Sequence, residues 1–328
     1  MIRAIKKLIL GIQAFYHLST AYLSDFVSYC KWSRTFLRDR AGDRLQKRRA
    51  NMMLLIHSLE KGMSAATPKA GFGKEKSAML LEMTERYIRD YGVDQYSRLA
   101  LGVLHQYANN VYAGRNEALQ HNITNLLKAS GLSSEDLNGG TKSYDPMALA
   151  NCYEQAFAFV ASRCSVRDFD TRDIPNEDVF KAIRFAQSAP TACNRQACRI
   201  HIFADKDVIH AVLENQFGNQ GWAHGANRLF VVTSLFSHFD GVFERYQMYI
   251  DGGMVAMQFI LGLHSLKIAS CCKMYVRTPA ADKEFYRLTQ IPKNETPIVL
   301  VFAGCYKDEP ANVPASFRLP TTEIGIWH

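Results

Sequence analysis

The hydrophobic periodicity of this 328-residue chain changes near residue 145. Before that point, apolar residues recur every three or four positions, which predicts helices over residues 1–130. Beyond it, short apolar runs typical of strands alternate with helical segments. Helices and strands mixed in this way predict an α+β sandwich, preceded by an all-helical region.

Residues 130–146 are rich in Ser, Gly and Asp and make the best linker candidate. We therefore expect a helical N-terminal extension at 1–145 and a second domain at 146–328. The N-terminal helices could still wrap around that domain.

Four segments of the second domain have the length and apolar content of strands. They are Arg199–Ala204, Leu229–Phe236, Ala269–Val276 and Pro297–Gly304. The second is nearly all apolar, which predicts a central strand. The run Tyr249–Leu266 is apolar around most of its circumference and predicts a buried helix. Its small residues would let another helix, or its symmetry mate, approach closely.

The net charge of +8 lies in the N-terminal segment. Residues 1–62 hold 12 Lys and Arg against 4 Asp and Glu, and the remainder of the chain is balanced. The charge therefore gives no reason to expect nucleic-acid binding by the second domain. The eight cysteines form no Cys-x-x-Cys pair and have no metal-ligand spacing, which favours reduced thiols in a cytoplasmic protein without a metal.

The N-terminus predicts an amphipathic helix, with Ile5, Leu8, Ile9, Ile12, Phe15 and Tyr16 at helical spacing. Polar residues interrupt the run before it reaches the length of a membrane span. Two interpretations stay open. The helix packs on its own domain or on a dimer partner, or residues 1–50 form a basic surface that rests peripherally on the inner face of an anionic membrane.

Two short motifs carry the chemistry. Arg163, Ser165 and Arg167 bring two guanidiniums and a hydroxyl together on a predicted loop, a donor set that suits a phosphate monoester. The turn that follows Pro190 ends in the amides of Asn194 and Gln196, which suit the polar edge of a heterocycle. Together they predict a mononucleotide-like cofactor.

These motifs also carry a family resemblance. Arg163–Phe169 looks like the opening motif of the FMN-dependent nitroreductase family, and Pro190–Gln196 looks like its second motif. The resemblance covers roughly residues 150–320. It implies a layered α+β domain with a mostly antiparallel central sheet, which dimerises with FMN in a cleft between subunits. It also implies that Arg318 assists at the phosphate, with Lys307 as a weaker rival.

By this resemblance the protein is an oxidoreductase in which NAD(P)H reduces FMN and a small organic acceptor, such as a nitro compound or quinone, then takes the electrons. The flavin carries the chemistry, so no catalytic side chain is expected. Two alternatives remain. The bound flavin could itself be a substrate or serve a specialised reduction, or the chain could be a non-catalytic scaffold at a membrane surface.

The chain departs from the family pattern in two places. Ala197-Cys198 stands where Pro-Trp is frequent, and Leu266–Ser270 stands where a Gly-Leu-Gly-like turn approaches the flavin. Each candidate also has a purely structural alternative. The motif arginines could pair with Asp168, Asp170 or Asp173, Asn194 could stabilise its turn, and Cys193 could simply pack. The aromatic residues Phe239, Phe243, Tyr246 and Tyr249 line an acceptor pocket or belong to the core, and His224 and His238 are equally ambiguous.

Overall fold

The N-terminal part of the chain is helical, as the periodicity predicts. A computed structural model describes residues 2–34, 41–67, 69–110, 114, 116–148, 151–216, 225–309 and 312–328. The first five helices are α1 (Ile2–Trp32), α2 (Ala41–Met63), α3 (Lys74–Tyr91), α4 (Gln95–Ala108) and α5 (Glu117–Ala129). Helices α2 to α5 share a core of buried residues that includes Met52, Ile56, Leu80, Leu104 and Ile123. The segment therefore buries a hydrophobic core of its own.

Gly62 does not end α2, contrary to the C-cap that its position suggests. The helix continues to Met63, and a Cβ at Gly62 would lie within 2.5 Å of the Phe72 ring. A larger residue at position 62 would therefore clash with that ring. The Gly71–Gly73 segment is an interhelix turn, in which both glycines have positive φ and Gly73 caps α3.

The predicted linker lies against α4. A Cβ at Gly102 would meet the carbonyl oxygen of Asn138, so the two backbones are in close contact. The Gln106 side chain also donates to the carbonyl of Thr141 at 3.1 Å. A domain boundary near residue 145 stays a prediction, and the segment before it is packed rather than free.

The second part of the chain contains a four-stranded sheet, whose strands are β1 (Cys198–Phe203), β2 (Arg228–Leu235), β3 (Ile268–Met274) and β4 (Glu295–Cys305). The strand order is β1-β2-β4-β3, and every neighbouring pair is antiparallel. All residues of β2 are buried, which confirms its predicted central position.

Helices cover both faces of this sheet, which confirms the layered α+β class. The remaining helices are α6 (Tyr153–Ser162), α7 (Asn176–Ala186), α8 (Lys206–Glu214), α9 (Gln247–Ser265), α10 (Pro279–Thr289) and α11 (Thr321–Ile324). On β2, Leu229 and Val231 join the core under α8 and α10, whereas Phe230 and Val232 join the core under α7 and α9. This alternation is the two-residue period of a strand that is buried on both faces.

The small residues of α9 serve contacts within the chain. A Cβ at Gly262 would lie 2.9 Å from the carbonyl oxygen of Ala182 on α7, and one at Gly252 would lie 2.7 Å from the Ile298 side chain on β4. The expected close approach of another helix is therefore met by α7. Gly253 is exposed, with nothing within 4 Å of its Cβ position.

Helix α1 contacts the rest of the molecule near its C-terminal end. The Tyr29 hydroxyl donates to the carbonyl of Gly241 at 2.8 Å, and Asp25 accepts from Arg277 at 3.4 Å. Residues 9–19 of the helix are all exposed. In the described residues, no helix combines the length and the apolar character needed to cross a membrane.

Candidate functional site

The residues of the first motif lie together beside the edge strand β3. The backbone N–H of Val166 donates to the carbonyl of Ser270 at 3.0 Å, which fixes the motif along that strand. Burial raises the pKa of the Cys271 thiol, while the charges of Arg167 and Arg163 and a hydrogen bond with Ser165 oppose the rise. The three predicted phosphate ligands are therefore all in the neighbourhood of Cys271 on β3.

The acidic residues near this motif have partners outside the predicted ligands. Asp168 accepts from Lys307 at 2.6 Å, and Asp170 accepts from Arg172 at 2.9 Å. Asp173 accepts from Arg228. Lys307, the weaker candidate for the phosphate, is thus already engaged by a carboxylate.

The second motif is a strained turn. Cys193, Asn194 and Gln196 have φ values of 51°, 49° and 51°, which is the left-handed region that glycine favours. Each such residue costs roughly 1 kcal/mol or more, and such strain tends to persist where the surroundings hold it and a function uses it. Asn194 and Gln196 are both exposed. The two predicted amides are therefore exposed to solvent on a turn whose backbone conformation is unfavourable for residues other than glycine.

The buried side chain of Arg195 stabilises this turn. It is 1% exposed, and its Nη1 and Nη2 each donate to one carboxylate oxygen of Glu244 at 2.9 Å. Its Nε donates to the carbonyl of Ala192 at 3.0 Å, and its guanidinium lies 5.0 Å from the centre of the Phe239 ring. The bidentate pair fixes the guanidinium, and the guanidinium fixes the backbone of the turn.

Asp251 on α9 holds the start of the same turn. Its carboxylate is 1% exposed and accepts from the backbone N–H of Ala192 at 3.0 Å and from the Gln247 side chain at 2.7 Å. Two buried charged side chains from different elements thus set the conformation that presents Asn194 and Gln196.

His238 belongs to this support. It is fully buried, and its carbonyl accepts from Arg195. Burial, aided by the charges of Arg199, Arg195 and Arg34, lowers the pKa of His238 from 6.5 to about 3. The imidazole is therefore neutral around pH 7 and belongs to the core. His224 lies outside the described residues.

The two motifs lie at diagonally opposite corners of the sheet. The first motif contacts Ser270 on β3, which pairs with Ala303 on β4. The second motif leads into Cys198 on β1, which is aligned through β2 with Thr296 on β4. Three strand spacings of about 4.8 Å and about seven residues of about 3.3 Å separate these corners, or roughly 25 Å. Within a single chain, the two motifs therefore lie well apart along the sheet.

Two further positions complete the predicted set. Arg318 is exposed and donates to the carbonyl of Ser316 at 2.7 Å. At the turn after α9, Lys267 has a φ of 56°, so the chain adopts a glycine-like conformation there without a glycine. Ala269 next to it is fully buried.

The four aromatic candidates differ in how exposed they are. Phe239 is buried beneath Arg195, whereas Phe243, Tyr246 and Tyr249 are 97%, 59% and 37% exposed. Burial also raises the pKa of the Cys198 thiol to about 12, so this thiol stays protonated. Within the described part of the chain, no group of three or more His, Cys, Asp or Glu side chains could hold a metal ion.

The family model described as the Nitroreductase family matches residues 160–220, a range that contains both motifs. This confirms the resemblance drawn from the two motifs. No curated protein matches the chain.

Several solved structures are similar to about half of the chain. A nitroreductase family protein from Clostridium difficile 630 is 24% identical, covers 52% of this chain and 95% of its own, and has a TM-score of 0.44. An FMN-dependent nitroreductase from Clostridium difficile R20291 is 19% identical, covers 48% of this chain and 91% of its own, and has a TM-score of 0.41. NfrA2 of B. megaterium is 20% identical, covers 52% and 73%, and has a TM-score of 0.44.

The residues that support the turn of the second motif are not evident from the two motifs alone. Arg195 lies inside the second motif but was passed over because its neighbours Asn194 and Gln196 carry the family pattern. Glu244 and Asp251 lie some 50 residues further along the chain, in a loop and on an apolar helix. A carboxylate in the otherwise apolar run of α9 is the one signal that pointed to Asp251, because such a group needs a partner when buried.

Proposed function

We propose that this protein is an FMN-dependent oxidoreductase in which NAD(P)H reduces the flavin and a small organic acceptor reoxidises it. The observation that carries the proposal is the second motif. Three residues without glycine's freedom hold left-handed conformations, and two buried charged side chains brace them, within a nitroreductase family segment. Retaining such strain is typical of functional sites.

The side chains fit the two ends of FMN. Arg163, Ser165 and Arg167 lie beside β3 and offer charge-assisted and neutral donors of the kind that bind a phosphate. Asn194 and Gln196 offer amide donors and acceptors of the kind that meet the polar edge of a flavin. Arg318 is a further candidate for the phosphate, from the exposed C-terminal segment.

We further propose that the protein is a homodimer and that each cofactor site takes one motif from each copy. The support is the diagonal separation of roughly 25 Å within one chain. A second copy related by a two-fold axis can bring the first motif of one chain to the second motif of the other, so a dimer has two equal sites. Helix α6, with Tyr153 and Phe157 66% and 59% exposed, offers apolar surface for such contact.

The bound flavin supplies hydride chemistry, which needs orientation and exclusion of water more than an acid–base side chain. In this proposal, the residues of the first motif anchor the cofactor by its phosphate. The second motif orients the ring, and the rigidity that Arg195 and Asp251 give to its turn fixes that orientation.

The test is the visible spectrum of the purified protein, with release and identification of the flavin. We expect about one FMN per chain. Arg167→Ala should weaken FMN binding about 10- to 100-fold, because a charge-assisted hydrogen bond is lost. The matched control is Arg172→Ala, an exposed arginine of the same segment that pairs with Asp170. A colourless protein that fails to bind added FMN would overturn the proposal.

A second candidate function is attachment to a membrane surface through α1. The helix docks through Asp25 and Tyr29 near its C-terminal end, whereas apolar residues along it, including Ile12, Phe15 and Phe26, are 61%, 73% and 64% exposed. The sequence adds Arg3, Lys6 and Lys7 near its start. An exposed apolar face with adjacent basic residues favours an anionic bilayer surface, with the protein on the cytoplasmic side.

Cosedimentation with vesicles tests this candidate. Vesicles rich in phosphatidylserine should bring down the protein, and phosphatidylcholine vesicles should bring down much less. Phe15→Glu combined with Phe26→Glu should abolish the binding while leaving flavin content unchanged. Equal sedimentation with both vesicle types, or no effect of the two substitutions, would contradict it.

A further inference from the structure

A cavity of about 520 Å³ lies between the N-terminal helices and the nitroreductase family segment. Helices α2 and α4 form one wall, and the end of α7, α9 and the start of β1 form the other. Helix α2 also contacts the turn of the second motif and the turn that contains His238. The volume is that of a small-molecule site.

The lining of the cavity is polar and lacks acidic residues. It contains Arg49, Arg199 and four glutamines, and no Asp or Glu is among the described residues that line it. Arg49 donates to Asp94 at 2.8 Å, so a carboxylate outside the cavity neutralises its charge. The charge of the cavity therefore depends on Arg199.

Arg199 has no carboxylate partner in the described residues. Its Nη1 donates to the carbonyls of Gln196 at 3.0 Å and Cys198 at 2.8 Å, which orients the guanidinium without neutralising it. Glu295, whose charge Arg199 also affects, is bound by His201 at 2.7 Å and by Thr233 at 2.5 Å. An oriented, half-buried guanidinium of this kind favours an anionic ligand.

Gln46 on the opposite wall provides a second requirement. Its Oε1 is buried and has no hydrogen-bond partner among the described residues. Such an oxygen is costly unless a donor reaches it. The ligand that matches the cavity therefore has an anionic group for Arg199 and an N–H or O–H that Gln46 accepts once its side chain turns this oxygen into the cavity.

Apolar and aromatic side chains lie between these polar groups. Tyr96, Ile183, Ile200 and Val255 also line the cavity and suit a flat, unsaturated ring. Gln196, the proposed contact of the flavin ring, lines the same cavity. The cavity is thus next to the place where electrons would leave the cofactor.

We propose that this cavity binds the electron acceptor and selects an aromatic or quinonoid carboxylic acid that carries a hydrogen-bond donor. The proposal rests on the proposed function, because the acceptor site is defined by the flavin. For a quinone acid, the hydride from the reduced flavin and one proton from solvent give the hydroquinone, with two electrons transferred. The N-terminal helices would then determine substrate specificity.

Calorimetric titration of the FMN-loaded protein with 4-hydroxybenzoate tests the proposal without turnover. This probe has the carboxylate, the O–H donor and the ring. We expect it to bind at least 10-fold more tightly than its methyl ester, which lacks the charge, and more tightly than benzoate, which lacks the donor. Equal affinity for the acid and the ester would overturn the proposal without any variant.

Two variants locate the site. Arg199→Met should weaken binding of 4-hydroxybenzoate at least 10-fold and leave the ester unchanged, and Gln46→Leu should reduce the affinity to that of benzoate. Arg86→Met, at an exposed arginine on α3, should change nothing. Binding of the acid that neither Arg199→Met nor Gln46→Leu weakens would contradict the assignment.

Flavin content, measured separately by absorbance, keeps the two proposals distinguishable. A protein that holds FMN but does not discriminate the acid from the ester refutes the cavity's role alone. A protein that holds no FMN but binds the acid through Arg199 refutes the acceptor role together with the proposed function, and leaves an acid-binding cavity.

Discussion

The two corners of the sheet that carry the proposed cofactor residues differ in how they are held. At the β3 corner, the charged groups are mostly exposed and the neighbouring ion pair, Lys307 with Asp168, is 44% and 70% exposed. At the β1 corner, Arg195 and Asp251 are buried and the turn above them is strained. A phosphate needs charge within reach, which mobile side chains supply. Orienting a ring needs fixed geometry, and at the β1 corner the buried polar groups hold the turn in one conformation.

The largest expected effect is the loss of the brace at the second corner. Arg195→Leu should lower the free energy of unfolding by about 3 kcal/mol, because the carbonyls of Ala192 and His238 lose their donor and Glu244 loses its bidentate partner. Urea denaturation measures it. Arg86→Met, in the exposed pair with Glu82, is the control and should change stability by about 0.5 kcal/mol or less. A loss below about 1 kcal/mol for Arg195→Leu would show that the brace is dispensable.

The same corner should make stability depend on pH. His238 has a pKa of about 3 in the folded protein against 6.5 ordinarily, so below pH 6.5 the unfolded state binds a proton that the folded state does not. The free energy of unfolding should therefore fall by about 2 kcal/mol between pH 7 and pH 5 through this residue alone. Denaturation across that range should show a shallower pH dependence for His238→Leu. The control His121→Leu, at an exposed histidine, should keep the wild-type dependence.

The strain in the turn should appear at Cys193. At a φ of 51°, Cys193→Val should lower the free energy of unfolding by about 1 to 2 kcal/mol, because a β-branched residue is disfavoured in the left-handed region. Cys193→Gly should leave it within about 0.5 kcal/mol, since relief of strain offsets the added chain entropy. Thermal unfolding of the two variants compares them directly. Equal stabilities would mean that the turn relaxes rather than being held.

The smallest effect should come from the β3 corner. Lys307→Ala removes the exposed pair with Asp168 and should change the free energy of unfolding by less than about 0.5 kcal/mol. If urea denaturation showed that Lys307→Ala lowers the free energy of unfolding by more than about 1 kcal/mol, the two corners would not differ in how strongly their ion pairs stabilise the fold.

The sequence predicted the helices and strands better than the long-range contacts between them. The strand β2 and the helix α9 follow from apolar runs, because burial on several sides leaves a strong local pattern. Helices α8 and α10 were not predicted. Gly62 follows an apolar helical run, as a C-cap glycine would, but α2 continues past it and the small residue leaves room for the Phe72 ring. Contacts distant in the chain decide such positions.

The candidate residues show the same limit. Arg163, Ser165 and Arg167 are local in sequence, and their proximity in the structure follows from that. The brace of Arg195 by Glu244, and the cavity that Gln46 shares with Arg199, depend on the way distant segments pack. No spacing rule connects residues that are about 50 or 150 positions apart.

The central claim is that each cofactor site takes one corner from each of two chains. The most direct test mixes two inactive partners. Arg167→Ala chains with one affinity tag and chains carrying both Asn194→Ala and Gln196→Ala with another are coexpressed, and dimers with both tags are isolated. Each variant alone should hold little FMN, because both of its sites lack one corner.

The mixed dimer has one site with both corners intact and one with neither, so we expect about one FMN per two chains. A dimer that carries all three substitutions on one chain and none on the other is the control, and there each site should lack one corner. Flavin absorbance in the mixed dimer at about half the wild-type level, with little in the control, agrees with a shared site. Little flavin in the mixed dimer, with half the wild-type level in the control, would contradict it and place the whole site within one chain.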